Sequence, residues 1–228
     1  MIQGKVAHWI LPLMLSGALG IAQDHEHSNA MPAEHADHMD HRFENAEDFA
    51  KTFDDPARDA WQMPDKVIAA LKLKSGQIVA DIGAGTGYFS VRLAKANPGF
   101  KVYGVDIESS MVSYLRSRAM KEGLSNITAV QAQPDSANLP TAVDLALIVD
   151  TYHHIPNRVD YFRKLAASLK VGGRVAIVDF KPESTMGPPK EFHFTAEKIR
   201  EELRQAGFRQ IEKLDFLPEQ QFLIFSKQ

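Results

Sequence analysis

Val79-Ala80-Asp81-Ile82-Gly83-Ala84-Gly85-Thr86-Gly87-Tyr88-Phe89-Ser90 decides how this chain folds. An apolar, β-rich opening ends on an acid, three glycines follow at alternate positions, and an apolar periodic segment begins. That order of residue types predicts a buried strand, a turn free of side chains and a helix start. Such a turn lets a ligand lie against the backbone and the helix N-terminus, so the stretch predicts a nucleotide-like ligand.

The spacing narrows the ligand. A dinucleotide fingerprint reads Gly-x-Gly-x-x-Gly between a strand and a helix. Here Gly83 and Gly85 fit, but the third required position is Tyr88 and the glycine is Gly87, one residue early. The resulting Asp-x-Gly-x-Gly-x-Gly pattern resembles the first motif of class I S-adenosylmethionine (SAM) dependent methyltransferases. SAM has no pyrophosphate, so its loop need not cradle anions. It passes close to a nucleoside and a zwitterionic tail, and a carboxylate nearby orients a cationic ligand. The resemblance implies that Asp81, Gly83, Gly85, Gly87 and Tyr88 bind this cofactor.

Further runs extend the pattern. Lys101 to Asp106 is strand-like and ends in an acid about 20 residues past the glycines, where a carboxylate accepts hydrogen bonds from ribose hydroxyls. Asp106 suits NAD equally; with Ile107 after it, it is a cofactor-binding candidate. Ile127 to Gln131 is followed by Asp135-Ser136-Ala137-Asn138-Leu139-Pro140, which resembles the methyltransferase segment Asp-Ala-x-x-Leu-Pro. That resemblance implies Asp135 as the acid near the adenine amino group, with Ser136 departing from the usual alanine. Val143 to Val149 is almost continuously apolar, as expected of a central parallel strand covered on both faces, and it leads to Asp150 and then Tyr152-His153-His154. Ligands of such sheets sit at the strand carboxyl ends, so Asp81, Asp106, Asp135 and Asp150 are expected to converge on one crevice.

Helical segments alternate with these strands. Helices are expected over Tyr88 to Ala96, from Ser109 to near Gly123, from Asn157 to Leu169 (stopped by Gly172-Gly173) and from Thr195 to Gln205. Arg174 to Phe180, Phe208 to Phe216 and Gln221 to Ser226 read as strands, the last two as an antiparallel hairpin. The fold class is therefore α/β, a doubly wound, mostly parallel sheet. Seven strands with a terminal hairpin is the architecture the methyltransferase resemblance implies over residues 64–228.

The 228 residues carry a net charge of −3 with no basic run, which argues against a nucleic-acid partner. Residues 1–22 resemble a secretory signal peptide: Lys5, an apolar run over 6–21, and small residues before Gln23. The run is shorter than the ~20 residues that span a bilayer comfortably, so cleavage and a periplasmic location are expected, with an uncleaved anchor as the alternative. No cysteine is present, which excludes a lipoprotein anchor and disulfides. Residues 23–43 form a polar tract containing His25, His27, His35, His38 and His41 among acids. These residues suit loose binding of Zn, Cu or Ni, but the tract reads first as a linker, and no closed metal site is expected. Residues 44–63 resemble an N-terminal helical lid, in which Arg58 and Trp61 either close over the ligands or pack on the domain.

Methyl transfer from a sulfonium is an in-line displacement whose activation the cofactor already carries. The protein aligns the reactants and supplies a base where the nucleophile must lose a proton. Tyr152, His153 and His154 are the catalytic candidates; histidine suits the role because its pKa lies near neutrality. Adjacent residues point different ways, so at most one histidine is expected to face the crevice. His193, beyond a Pro-rich loop, is expected at the surface, with a place bordering the acceptor pocket as the alternative. The expected acceptor is a small molecule. A non-catalytic SAM- or metal-binding protein, and then an NAD-dependent oxidoreductase, are the alternatives.

Overall fold

A computed structural model describes residues 45–228; the leader expected at 1–22 and the His-rich tract at 23–43 lie outside them. Three short helices come first: α1 (Ala46–Phe53), α2 (Arg58–Gln62) and α3 (Pro64–Ala70). Asn45 caps α1 by accepting from the backbone N–H of Glu47. Met63, at φ 45°, breaks α2 from α3, and Pro64 opens α3 where its missing N–H costs nothing.

Strands and helices then alternate: β1 (Ile78–Ile82), α4 (Tyr88–Ala96), β2 (Lys101–Asp106), α5 (Ser109–Lys121), β3 (Ile127–Gln131) and β4 (Val143–Val149). They are followed by α6 (Arg158–Ala167), β5 (Leu169–Phe180), α7 (Ala196–Gln205), β6 (Phe208–Leu214) and β7 (Gln220–Lys227). The strands form one sheet in the order β3-β2-β1-β4-β5-β7-β6. Pairs from β3 to β5 are parallel, and β7 runs antiparallel to both its neighbours. The expected seven-stranded, mostly parallel sheet with a terminal antiparallel hairpin is therefore present, with β7 inserted between β5 and β6.

Period-two alternation sorts the central strands onto two cores. Ala146, Ile148, Val175, Ile177, Leu223 and Phe225 face one side with Phe162, Leu165, Ile199 and Leu203 of α6 and α7. Leu145, Leu147, Val149, Ala176, Val178, Phe222 and Ile224 face the other with Val67 of α3 and Phe89 and Leu93 of α4. Burial on both faces is why these strands are continuously apolar.

The boundary between α6 and β5 differs most from expectation. The helix expected to reach Leu169 ends at Ala167, and β5 starts at Leu169, running through Gly172-Gly173. Val143 pairs with Leu169, but pairing resumes at Leu145 with Arg174, so the intervening residues bulge from the ladder, with Gly172 at φ 74°. The glycine pair marks a bulge, not a helix stop.

The strand order reverses between β1 and β4, which opens a crevice outside their carboxyl ends. Among the described residues, no helix is long and apolar enough to cross a membrane.

Candidate functional site

The turn after β1 occupies that crevice. Gly83 and Ala84 both donate their N–H to the Val105 carbonyl, at 2.8 and 2.9 Å, which binds the turn to β2. Gly83 sits at φ 75°, and a Cβ there would overlap the Thr151 side chain beyond β4, so only glycine fits. At Gly85 a Cβ would stand 3.2 Å from Cδ2 of Phe53, because α1 lays that ring on the turn. Gly87 ends the turn as the N-cap of α4.

Carboxylates surround the turn. Asp81 is 2% exposed and accepts from the Ser90 hydroxyl at 2.6 Å. Burial pushes its pKa up to about 6, and the Ser90 hydrogen bonds only partly oppose this. Asp106 accepts from the backbone N–H of Gly85 at 2.7 Å and of Glu108 at 2.9 Å. Burial raises its pKa against those bonds. Asp150, in the left-handed region at φ 51°, has a pKa raised to about 6 by burial and by the nearby Asp179 charge.

The segment before the domain is docked onto this cluster by polar contacts. Gln62 is fully buried and donates through Nε2 to Oδ2 of Asp150 at 2.7 Å, and Arg58 reaches the same oxygen at 3.5 Å. Gln220, at the start of β7, donates to the other oxygen. Both oxygens of Asp150 are thereby held by the protein. The guanidiniums of Arg58 and Arg92 lie 4.1 and 3.8 Å from the Tyr88 ring centroid, and the Tyr88 hydroxyl donates to Asp59. Arg118 of α5 bonds Asp54 at 2.8 Å and the Thr86 carbonyl at 3.0 Å, clamping the segment to the glycine turn. Trp61 packs on Phe180, ring centroids 5.8 Å apart.

The Tyr152-His153-His154 triplet is a 3₁₀ turn that sends its side chains to different places. Tyr152 is fully buried, donates to Glu202 of α7 and packs on Phe162 and Phe194. His153 is buried and hydrogen-bonds Asp179 through Nδ1. His154 is exposed, its ring 4.2 Å from that of His153.

Other candidates are spread more widely. Ile107 is half exposed just beyond Asp106, and its carbonyl accepts from Gln131. Asp135 is exposed and paired with Lys164 of α6, so its carboxylate is engaged on the surface. His193, expected at the surface, is buried: its ring stacks on Phe180 at 5.8 Å, and Nε2 donates to the Pro188 carbonyl at 2.9 Å. Its Nδ1 has no hydrogen-bond partner among the described residues, and neither has the buried hydroxyl of Thr86. Sequence reasoning missed Gln62, Gln220, Thr86 and Asp179; only Asp179 carried a signal, as an acid next to the end of an apolar strand.

These residues fit S-adenosylmethionine. The turn offers bare backbone, Thr86 holds an orphaned hydroxyl inside it, and Asp81 and Asp106 supply negative charge for a cationic ligand. A family model described as a methyltransferase domain matches residues 73–220. The chain is 30% identical over 143 residues to the 27-O-demethylrifamycin SV methyltransferase of Amycolatopsis mediterranei, across 61% of this chain and 51% of that protein. It is 29% identical over 118 residues to a ubiquinone/menaquinone biosynthesis C-methyltransferase of Pseudomonas paraeruginosa, across 50% of this chain and 46% of that one. The chain thus spans about half the length of the curated relatives it matches. A SAM-dependent methyltransferase from Aquifex aeolicus superposes with a TM-score of 0.74 at 26% identity, over 81% of this chain and 99% of that one. The chain belongs to the methyltransferase domain family and has the fold and cofactor site of the class I S-adenosylmethionine-dependent enzymes.

Proposed function

We propose that this protein methylates a small-molecule acceptor held between the carboxyl ends of β4 and β5 and the segment 45–63. The observation that carries the reading is the side-chain-free turn at Gly83–Gly87, ringed by Asp81 and Asp106 at the switch point of the sheet. When bound, S-adenosylmethionine supplies an electrophilic methyl on a sulfonium and leaves as a neutral thioether. Asp106 would hold the ribose hydroxyls, and Asp81 would supply negative charge for the sulfonium-bearing ligand. Asp150 acts at one remove, by docking Gln62 and Arg58. His153 is the base of the triplet, His154 borders the acceptor, and Tyr152 supports both from the core. Asp135, on release from Lys164, and Ile107 would bind the adenine. The relatives' names describe small-molecule acceptors, which supports the same class here.

The segment 45–63 acts as a lid. Phe53 lies on Gly85 and Trp61 on Phe180, so a closed segment shields the crevice from water. We also propose export of the chain, on the basic start, apolar run and small residues of 1–22.

Calorimetry with S-adenosylhomocysteine and with NAD, followed by incubation with [methyl-14C]SAM and a pooled small-molecule extract of the source cells, tests the reading. Binding of S-adenosylhomocysteine and label in a low-mass product are expected. Tight NAD binding without S-adenosylhomocysteine binding overturns the cofactor assignment. Binding without transfer of label overturns catalysis and leaves a binding protein.

A further inference from the structure

The penultimate residue of β5 is Asp179, a buried carboxylate that the glycine turn does not require. Its two oxygens lie 3.0 and 3.1 Å from Nδ1 of His153, and the two side chains are only 5% (His153) and 4% (Asp179) exposed. A carboxylate oxygen accepts, so in the neutral imidazole this contact puts the hydrogen on Nδ1 and leaves Nε2 as the basic nitrogen. One Asp179 oxygen also accepts from the backbone N–H of Phe180 at 2.8 Å, which holds the carboxylate in place. Thr151, two residues before His153, stands against Gly83, so the triplet starts beside the glycine turn.

We propose that Asp179 positions His153 to take the proton of a hydroxyl group on the acceptor, making oxygen the methylated atom. The inference rests on the methyl-transfer reading above and names its substrate class. The acceptor O–H bond breaks and its proton goes to Nε2 of His153. The freed oxygen pair forms the new O–C bond, and the pair of the S–C bond stays with sulfur. The imidazolium faces the Asp179 carboxylate and afterwards returns its proton to water. A hydroxyl is an acceptor that needs this apparatus, because it is a poor nucleophile until a base removes its proton. A neutral amine attacks through a lone pair it already has.

Charged groups around His153 set its titration. Burial disfavours the imidazolium, but the Asp179 hydrogen bond and charge, with the charge of Asp150 beyond β4, outweigh it and raise the pKa. Arg158 of α6 opposes them, and His154 stacks alongside. The neutral base therefore forms above the ordinary imidazole range, and activity rises with pH through that point.

The full chain, labelled with 15N-histidine and saturated with S-adenosylhomocysteine, reports the tautomer by NMR without an acceptor. A neutral His153 protonated on Nδ1 is expected, titrating above free imidazole, and Asp179→Asn moves that titration to lower pH. In parallel, 13C-methyl SAM and the pooled small-molecule extract give a product whose methyl resonance distinguishes oxygen from nitrogen, sulfur and carbon. An O-methyl product is expected, with an acid limb that tracks the His153 titration and shifts with it in Asp179→Asn. Loss of the base in His153→Gln lowers turnover by about 10²-fold or more. Asp179→Glu, which keeps a carboxylate, restores part of both the titration and the rate, and serves if Asp179→Asn does not fold. A methyl on nitrogen, sulfur or carbon overturns the proposal. So does a tautomer and acid limb unmoved in Asp179→Asn. A wild-type protein that transfers no label at all overturns the methyl-transfer reading, and the tautomer and titration then decide the pair on their own.

Discussion

Gln62 Nε2 donates to Asp150 Oδ2 at 2.7 Å across 88 residues of sequence, and this bond ties the N-terminal segment to the end of the central strand. Gln62 also donates to Gln220 Oε1 at 3.3 Å, so one buried amide joins α2, β4 and β7. Replacing Gln62 with Ala leaves a partly buried Asp150 oxygen with Arg58 at 3.5 Å as its remaining donor, at a cost of about 1–3 kcal/mol. Urea unfolding is expected to show that loss, and hydrogen exchange is expected to speed up over residues 46–62. Unchanged exchange there would mean that Arg58, Asp54 and Asp59 hold the segment without Gln62.

Asp81 makes stability depend on pH in an unusual direction. Its folded pKa, about 6, lies above its unfolded value of 3.8, so the folded state binds the extra proton. The stability from this group is fully present below 3.8 and is lost as pH rises through about 6. Asp150 adds to the same slope, with a folded pKa also near 6. Asp81→Asn, which keeps the Ser90 bond, is expected to flatten the slope between pH 4 and 6 and to stabilise the ligand-free protein at pH 7. The gain is on the order of 1–3 kcal/mol, from one to two pKa units. It is expected to weaken S-adenosylmethionine binding, since a cationic ligand loses a buried negative charge. Thermal melts across pH, with calorimetry at pH 7, check both signs.

Gly83→Ala sets two faults at one point: a left-handed φ of 75° and a methyl driven into Thr151. The backbone strain alone costs about 1 kcal/mol or more. The larger expected effect is on binding, because the turn must shift to clear Thr151. Calorimetry with S-adenosylhomocysteine is expected to show binding lost or weakened at least about tenfold, equivalent to about 1.4 kcal/mol. Restored binding in a Gly83→Ala, Thr151→Gly double variant would identify the clash as the cause.

The sheet was legible because each buried strand is a continuous apolar run ending at an acid or a turn, and burial on both faces demands that composition. The glycine turn was legible for a local reason: bare backbone at a strand–helix junction requires glycine. What escaped the sequence was direction and distance. Asp135 sits in the expected loop, yet its carboxylate pairs with Lys164 on the surface. Tyr152, His153 and His154 are neighbours in sequence, and the 3₁₀ turn sends one to the core, one to Asp179 and one to the surface. Gln62 and Gln220 meet Asp150 only because β7 inserts beside β5, a topological fact that no glutamine announces. His193 is buried because the Pro-rich loop folds back over Phe180, bringing Pro188 to its Nε2.

Thr86 separates stability from function most cleanly. Its hydroxyl is fully buried in the glycine turn with no hydrogen-bond partner among the described residues, and an unpaired buried hydroxyl costs about 1–3 kcal/mol. Valine has nearly the same shape and no hydroxyl. Thr86→Val is therefore expected to leave the ligand-free protein as stable or more so, by up to about 1 kcal/mol. If the hydroxyl is kept for the polar tail of the cofactor, the same change removes one hydrogen bond to the ligand. Affinity for S-adenosylhomocysteine then falls by several-fold to about tenfold, the equivalent of about 1 kcal/mol. Denaturation and calorimetry on one preparation give the two signs together. A stabilised variant with undiminished affinity would show that Thr86 serves the ligand in no way, and that the orphaned hydroxyl is simply a cost the fold carries.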